Sequence, residues 1–183
     1  LPFRYRLAYL IFCWWAAKRA NKIFTISEFS TSELQKFYNI SKERIFINPW
    51  GIEGIFEIFP RTNEYREKIT AIKQRYHIKD RFFLSLGQAF PRRHVKEAVE
   101  AFGRIAREFP NVQYLVGCVD KHMPPVLKDL AEKINNTERR EAVVITDYLP
   151  RADVPCLMNE MTALLYVSSC EALGIPPIEA GLC

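Results

Sequence analysis

Three phosphate-handling signatures are missing from this 183-residue chain: there is no G-x-x-x-x-G-K-[ST] loop, no G-x-G-x-x-G and no D-x-D. The first two absences remove the usual glycine nests for phosphate. The third leaves no aspartate pair to bridge a divalent metal to a diphosphate, so no metal is indicated. There is no C-x-x-C pair either. Cys13, Cys118, Cys156, Cys170 and Cys183 are scattered, with no histidine cluster nearby. An odd, unpatterned set reads as reduced thiols in a cytosolic protein, without a disulfide framework or a metal site. Internal repeats and low-complexity tracts are also lacking. Acids are absent from residues 1–22, which carry Arg4, Arg6, Lys18, Arg19 and Lys22, whereas the rest of the chain is charge-balanced. That balance argues against a nucleic-acid partner.

What is present is a globular composition, 49% apolar with three tryptophans, at a length suited to one domain or one domain plus part of another. The apolar run from Leu7 to Ala17 is too short to cross a bilayer, which takes about 20 helical residues. A buried helix is its first reading. The alternatives are an interfacial helix whose Arg and Lys meet anionic lipid, and the apolar region of a signal peptide. Against the last stand the tryptophans and the absence of a methionine at the first position.

Past residue 20 strands and helices alternate. Ile23–Ile26 reads as a strand; Ser30 with Glu33 reads as a capping box opening a helix over 31–38. Residues 44–48 read as a strand broken by Pro49-Trp50-Gly51. A connection and a helix bearing Tyr65, Ile69, Ile72 and Tyr76 on one face occupy 52–80. Then come strands at 82–86, 113–117, 142–145 and 163–167. Helices follow them at 94–109, 124–134, 152–158 and from Pro176 onward. Such alternation predicts an α/β fold with a Rossmann-like parallel sheet covered by helices on both faces. Ligands of these sheets bind at the carboxyl ends of the strands.

Two candidate segments sit at such ends. The first, Gly87-Gln-Ala-Phe-Pro-Arg-Arg-His94, brings Arg92 and Arg93 to a helix start, where unpaired N–H groups and guanidinium forks suit a phosphate or diphosphate. The bland reading is a solvated basic turn. The second, Ser168-Ser-Cys-Glu-Ala-Leu-Gly-Ile-Pro-Pro-Ile-Glu179, spaces two acids eight positions apart around a glycine and two prolines. Gly174 permits close backbone approach, Pro176 suits the first helical position, and Glu179 would lie in the first turn. A carboxylate pair can accept hydrogen bonds from sugar hydroxyls. The alternative is a surface acid and a helix-start acid.

Over nearly its whole length the chain resembles the retaining glycosyltransferases of family 4, also called group 1, which have the GT-B fold. EALGIPPIEA (171–180) is similar to the family's EGFGLPPLEA. SLGQAFPRRHVKEAVEAF (85–102) resembles its glycine, PRKN and amphipathic helix. ANKIFTISEFSTSELQKFYNI (20–40) resembles the strand and helix that close its N-terminal domain. The resemblance implies that residues 1–51 are a remnant of the N-terminal acceptor domain, 52–80 an interdomain linker and helix, and 81–183 a truncated donor-binding domain. It implies a nucleotide diphosphate sugar as donor, a glycan or lipid-linked acceptor, and transfer of a glycosyl unit with retention, in a mannosyltransferase-like enzyme without a metal or other cofactor. Arg92 and Arg93 would then neutralise the diphosphate, with Gly87 before them. Glu171 would be the catalytic acid near the donor sugar, and Glu179 would hold the ribose. Backbone at Ala172, Leu173, Gly174 and Ile175 would face sugar and phosphates, and Tyr148 and Leu149 the base. The implied location is cytoplasmic, with residues 4–22 able to touch the inner face of a membrane. As a fragment the chain is expected to be inactive alone. The rival reading is a non-catalytic nucleotide- or sugar-phosphate-binding module.

Departures from the family pattern are Arg93 for lysine, His94 for asparagine or glycine, and Ala172-Leu173 for Gly-Phe. None removes a charged group.

Overall fold

The computed structural model describes residues 3–183, which form two compact units, the first ending at Gly51 and the second running Ile52–Cys183. The first holds α1 (Phe3–Arg19), β1 (Ile23–Thr25), α2 (Glu28–Tyr38) and β2 (Ile45–Ile47), with β1 and β2 paired in parallel. Arg44 donates to the carbonyls of Ala17, Lys18 and Ala20, satisfying the end of α1 and complementing its dipole. The cap of α2 is Ser27, not Ser30. Ser27 has the extended backbone a cap requires and accepts from the Ser30 N–H, which places Ser30 inside the first turn. Asn39 closes the helix in the left-handed conformation.

The buried-helix expectation for residues 7–17 is overturned. Leu7, Tyr9, Leu10, Ile11, Phe12, Trp14 and Trp15 of α1 are all exposed. They occur on more than one side of the helix, so its apolar surface lies open rather than packed against a core. No helix among the described residues is long and apolar enough to cross a membrane.

The second unit contains α3 (Asn63–Arg75), β3 (Arg81–Ala89), α4 (Val95–Ile105), β4 (Val112–Asp120), α5 (Leu127–Glu138), β5 (Val143–Thr146), α6 (Val154–Glu160), β6 (Ala163–Leu164) and α7 (Ile175–Leu182). The strands form one parallel sheet in the order β5-β4-β3-β6, with Leu84 opposite both Leu115 and Leu164. Alternation along the strands divides the core between the two faces. Tyr114, Val116 and Cys118 pack under Val95, Val99 and Phe102 of α4 and Leu127, Ala131 and Ile134 of α5. Phe82, Leu84 and Leu115 pack under Tyr65, Ile69 and Ile72 of α3 and Val154, Leu157 and Met158 of α6. Phe56 is buried in that second cluster, so the connection after Gly51 is part of this unit.

Several boundaries differ from the sequence reading for identifiable reasons. β3 does not stop at Gly87 but stays paired with β4 through Ala89 opposite Asp120. α4 ends at Ile105, and Ile105 and Phe109 lie in the open rather than on the buried stripe. α5 begins at Leu127 because the Asp120 carboxylate takes the Val126 and Leu127 N–H groups, fixing the first turn beyond the prolines. β6 was expected to reach Val167. After Leu165 N–H meets the Leu84 carbonyl, the next donors, from Ser169, go to the carbonyl of Arg92 instead of continuing the ladder.

The chain runs outward from β3 to β5 and then returns across the sheet to β6 on the other side of β3. The helices that follow β3 and β6 therefore lie on opposite faces of the sheet. The crevice at such a reversal of strand order is where doubly wound sheets hold their ligands.

Candidate functional site

Gly87, near the carboxyl end of β3, makes room for the β3–α4 loop. Its φ of +107° lies in a region that favours glycine, and a Cβ there would come 2.7 Å from Nη1 of Arg93. The guanidinium of Arg93 thus lies against bare backbone. Its Nε donates to Oε1 of Glu171 at 2.8 Å, and Ser168 Oγ donates to the same oxygen at 3.0 Å. Burial pushes the Glu171 carboxyl up, but the bonds from Arg93 and Ser168 and the Arg93 charge outweigh it and hold the group below the usual carboxylate range.

Arg92 does something different. Its side chain is exposed and lies over the Phe90 ring at 4.9 Å. Its carbonyl accepts from both the N–H and the hydroxyl of Ser169 at 3.0 Å. The β3–α4 and β6–α7 loops are joined by this backbone clasp and by the Arg93–Glu171 pair. His94 sits in the left-handed conformation at the start of α4 and makes no side-chain cap.

Between the two acids, Ala172 is exposed, and Leu173, Gly174 and Ile175 are half-buried in the turn that opens α7. Gly174 has φ +72°, which supplies the reversal before Pro176 and Pro177. Glu179 is not in the first turn, as expected, because the helix already begins at Ile175 and the first turn carries no acid. It lies one turn further in and is 5% exposed, too buried for a mere dipole-complementing acid.

Glu179 borders a cleft of about 360 Å³ at the carboxyl end of the sheet. Leu86, Gly87 and Gln88 of β3, Gly117 and Val119 of β4, Asp147, Tyr148, Leu149 and Arg151 beyond β5, and Pro176 complete its lining together with Val154. Gly117 is there for close approach: an added Cβ would meet Leu149 Cδ1 at 2.3 Å. Leu149 is buried against that glycine, whereas Tyr148 is exposed at the rim. Of the sequence-predicted residues, Gly87, Tyr148, Leu149 and Glu179 line this cleft. Arg93 and Glu171 form the adjoining ion pair, joined to it through Gly87 and the Gln88 carbonyl, which Arg93 Nη1 contacts at 3.4 Å. Arg151, Gly117 and Asp147 were missed, since no motif marks them and only the topology brings them here.

At the end of β4, Asp120 receives N–H groups from His122, Val126 and Leu127 and faces His122 Nδ1 at 2.6 Å. Burial raises its pKa, and these hydrogen bonds more than reverse that, bringing it to about 2. Its role is to start α5. A larger hollow, about 620 Å³, lies in the first unit between α1 and α2, but Leu10, Ile11, Trp14, Phe37 and Tyr38 line it without a charged group.

A parallel, doubly wound sheet with helices on both faces defines a Rossmann-like domain, with an acid–arginine pair at its strand reversal. Residues 68–183 match the family model of the glycosyl transferases group 1, and the chain belongs to that family. Over 169 residues, 91% of the chain, it is 28% identical to the serotype-specific mannosyltransferase WbdA of Escherichia coli, of which it covers 20%. The crystal structure of WaaG, a glycosyltransferase involved in lipopolysaccharide biosynthesis, superposes with a TM-score of 0.69 at 27% identity over 87% of this chain and 41% of that one. Anabaena HepE in complex with UDP-glucose shares the fold at a TM-score of 0.68 and 17% identity, covering 92% of this chain and 44% of that one. The chain thus spans about a fifth of the length of WbdA and about two fifths of WaaG.

Proposed function

We propose that this chain forms the donor-binding part of a retaining hexosyltransferase, mannosyltransferase-like, that moves a sugar from a nucleotide diphosphate to a hydroxyl of a glycan or lipid-linked acceptor. The observation that carries the reading is the Arg93–Glu171 pair beside a cleft containing Glu179, all at the strand reversal. In this arrangement the diphosphate lies across the Gly87–Arg93 loop, and backbone at Ala172, Leu173, Gly174 and Ile175 faces it and the sugar. Glu171 meets the donor sugar, Glu179 the ribose, and Tyr148 and Leu149 the base. As the bond from sugar to diphosphate breaks, negative charge builds on the departing group. Arg93, once drawn from Glu171, meets that charge together with the helix start beside it, and exposed Arg92 adds a smaller share. Charge brought to the departing group stabilises the transition state. No metal is assigned a role.

The test is product analysis with the complete gene product, supplied with UDP-glucose or GDP-mannose and an acceptor glycan. NMR of the anomeric proton should show the donor's configuration kept, and EDTA should leave the rate unchanged. The 183-residue chain alone should bind nucleotide and transfer nothing. An inverted product would overturn retention, and tight nucleotide binding by the complete gene product with no transfer would favour a non-catalytic binding module.

A second reading concerns location. Exposed Tyr5, Tyr9, Trp14 and Trp15 on α1 are flanked by Arg4, Arg6, Lys18, Arg19 and Lys22 with no acid, a composition suited to peripheral contact with an anionic inner membrane face. Phosphatidylglycerol vesicles should then retain the chain at low salt and release it at high salt. Equal retention by neutral phosphatidylcholine vesicles would count against it.

A further inference from the structure

Glu179 is a buried carboxylate, and burying an ion is costly unless a partner compensates it. Its partner is Arg151, whose Nη2 donates to Glu179 Oε1 at 2.9 Å and to Glu53 Oε1 at 3.0 Å. The same guanidinium lies 4.6 Å above the ring of Phe56, itself buried. Arg151 is therefore held from three sides: by one acid of the segment after Gly51, by the aromatic ring of that segment, and by Glu179.

This clamp leaves Glu179 asymmetric. Oε1 is engaged, while Oε2 receives no hydrogen bond from the described residues. No buried side-chain oxygen among them lacks a partner, so Oε2 is open, and the space Glu179 borders is the cleft. A carboxylate with one oxygen fixed by a guanidinium and the other free presents a hydrogen-bond acceptor to a hydroxyl. Arg151 also borders the cleft.

We propose that Arg151 is a positioning residue for the nucleoside end of the site: it holds Glu179 turned so that its free oxygen receives a ribose hydroxyl, with Glu53 and Phe56 holding Arg151 in place. This inference rests on the donor-binding reading above. It adds a residue that makes the site discriminate ribose from a sugar lacking its diol.

The experiment is an NMR titration of the 183-residue chain with UDP and GDP and with their 2′,3′-dideoxy counterparts. Unsubstituted protein should bind the better ribonucleotide about tenfold more tightly than its dideoxy form, as expected for a hydrogen bond to a charged acceptor. Arg151→Ala should bring that ratio close to one. Arg151→Met, which keeps apolar packing over Phe56 but lacks the charge, should do the same, and Arg151→Lys should restore part of the preference. A purely structural role would weaken both nucleotides equally and leave the ratio intact. If Arg151→Met retains the tenfold preference, the positioning role is wrong while the donor site stands. If the unsubstituted chain binds nucleotide without any ribose preference, the assignment of Glu179 falls and this inference with it. Should neither UDP nor GDP bind, the donor-site reading itself is overturned, and the positioning role with it.

Discussion

Glu171→Gln in the complete gene product should cut sugar transfer by about 10³-fold, the scale of losing one group aligned with a transition state, yet tighten binding of the nucleoside diphosphate. The second half of that result follows from the ion pair. In the structure Arg93 donates to Glu171 rather than to a phosphate. A diphosphate must therefore draw Arg93 away from a carboxylate that also repels it. Glutamine removes the repulsion and weakens the competitor, which should improve diphosphate affinity roughly three- to tenfold, the worth of about 1 kcal/mol for partly exposed charges. Because Arg93 and Ser168 hold the Glu171 carboxyl ionised below the usual range, the gain should persist through neutral pH. Calorimetry on both proteins, beside a transfer assay, checks the two halves. Unchanged transfer would remove Glu171 from the chemistry, and weaker diphosphate binding would show that Glu171 supports the phosphate site rather than competing for it.

The second large effect separates the two arginines. Arg93→Ala should weaken diphosphate binding by about 30-fold or more, since it deletes a charge-assisted donor and leaves Glu171 unpaired beside the incoming charge. Arg92→Ala should cost less than about fivefold, because an exposed, screened guanidinium contributes little. The Arg92 backbone carbonyl, which clasps Ser169, survives that substitution. Equal losses at both positions would mean that the Arg92 side chain swings from Phe90 onto the phosphate and that the paired-arginine reading was the better one. Gly87 gives an independent check. Alanine there must displace the Arg93 guanidinium, which its Cβ would approach to 2.7 Å, and so should resemble Arg93→Ala.

Much of the sheet was legible because its signals are local. Phe82-Phe-Leu-Ser-Leu86 and Ala142-Val-Val-Ile145 are runs that only a doubly covered strand tolerates, and the spacing of Tyr65, Ile69 and Ile72 is that of one helix face. Their ends were less legible. Whether β6 continues past Leu165 depends on a carbonyl 73 positions earlier in the chain, that of Arg92, competing for the Ser169 donors. Where α5 begins depends on a carboxylate at the end of β4 rather than on Pro124 and Pro125. Burial of α1 was misjudged for a related reason: an apolar run reports that a helix wants cover, while the cover itself comes from other parts of a structure.

For the site, the residue types at Glu171, Glu179, Arg92, Arg93, Gly87 and Gly174 were written in the sequence, and their order along an alternating strand–helix chain placed them all at the carboxyl end of one parallel sheet. That much is decided by periodicity and backbone chemistry, which act over a few residues. Their division of labour was decided only by the tertiary structure. Arg93 pairs with Glu171 across 78 positions, Arg92 turns to Phe90, and Glu179 is buried against Arg151, a residue with no motif of its own. Which partner a charged side chain takes depends on distance and desolvation in the folded chain, and neither quantity exists until β3 and β6 lie side by side.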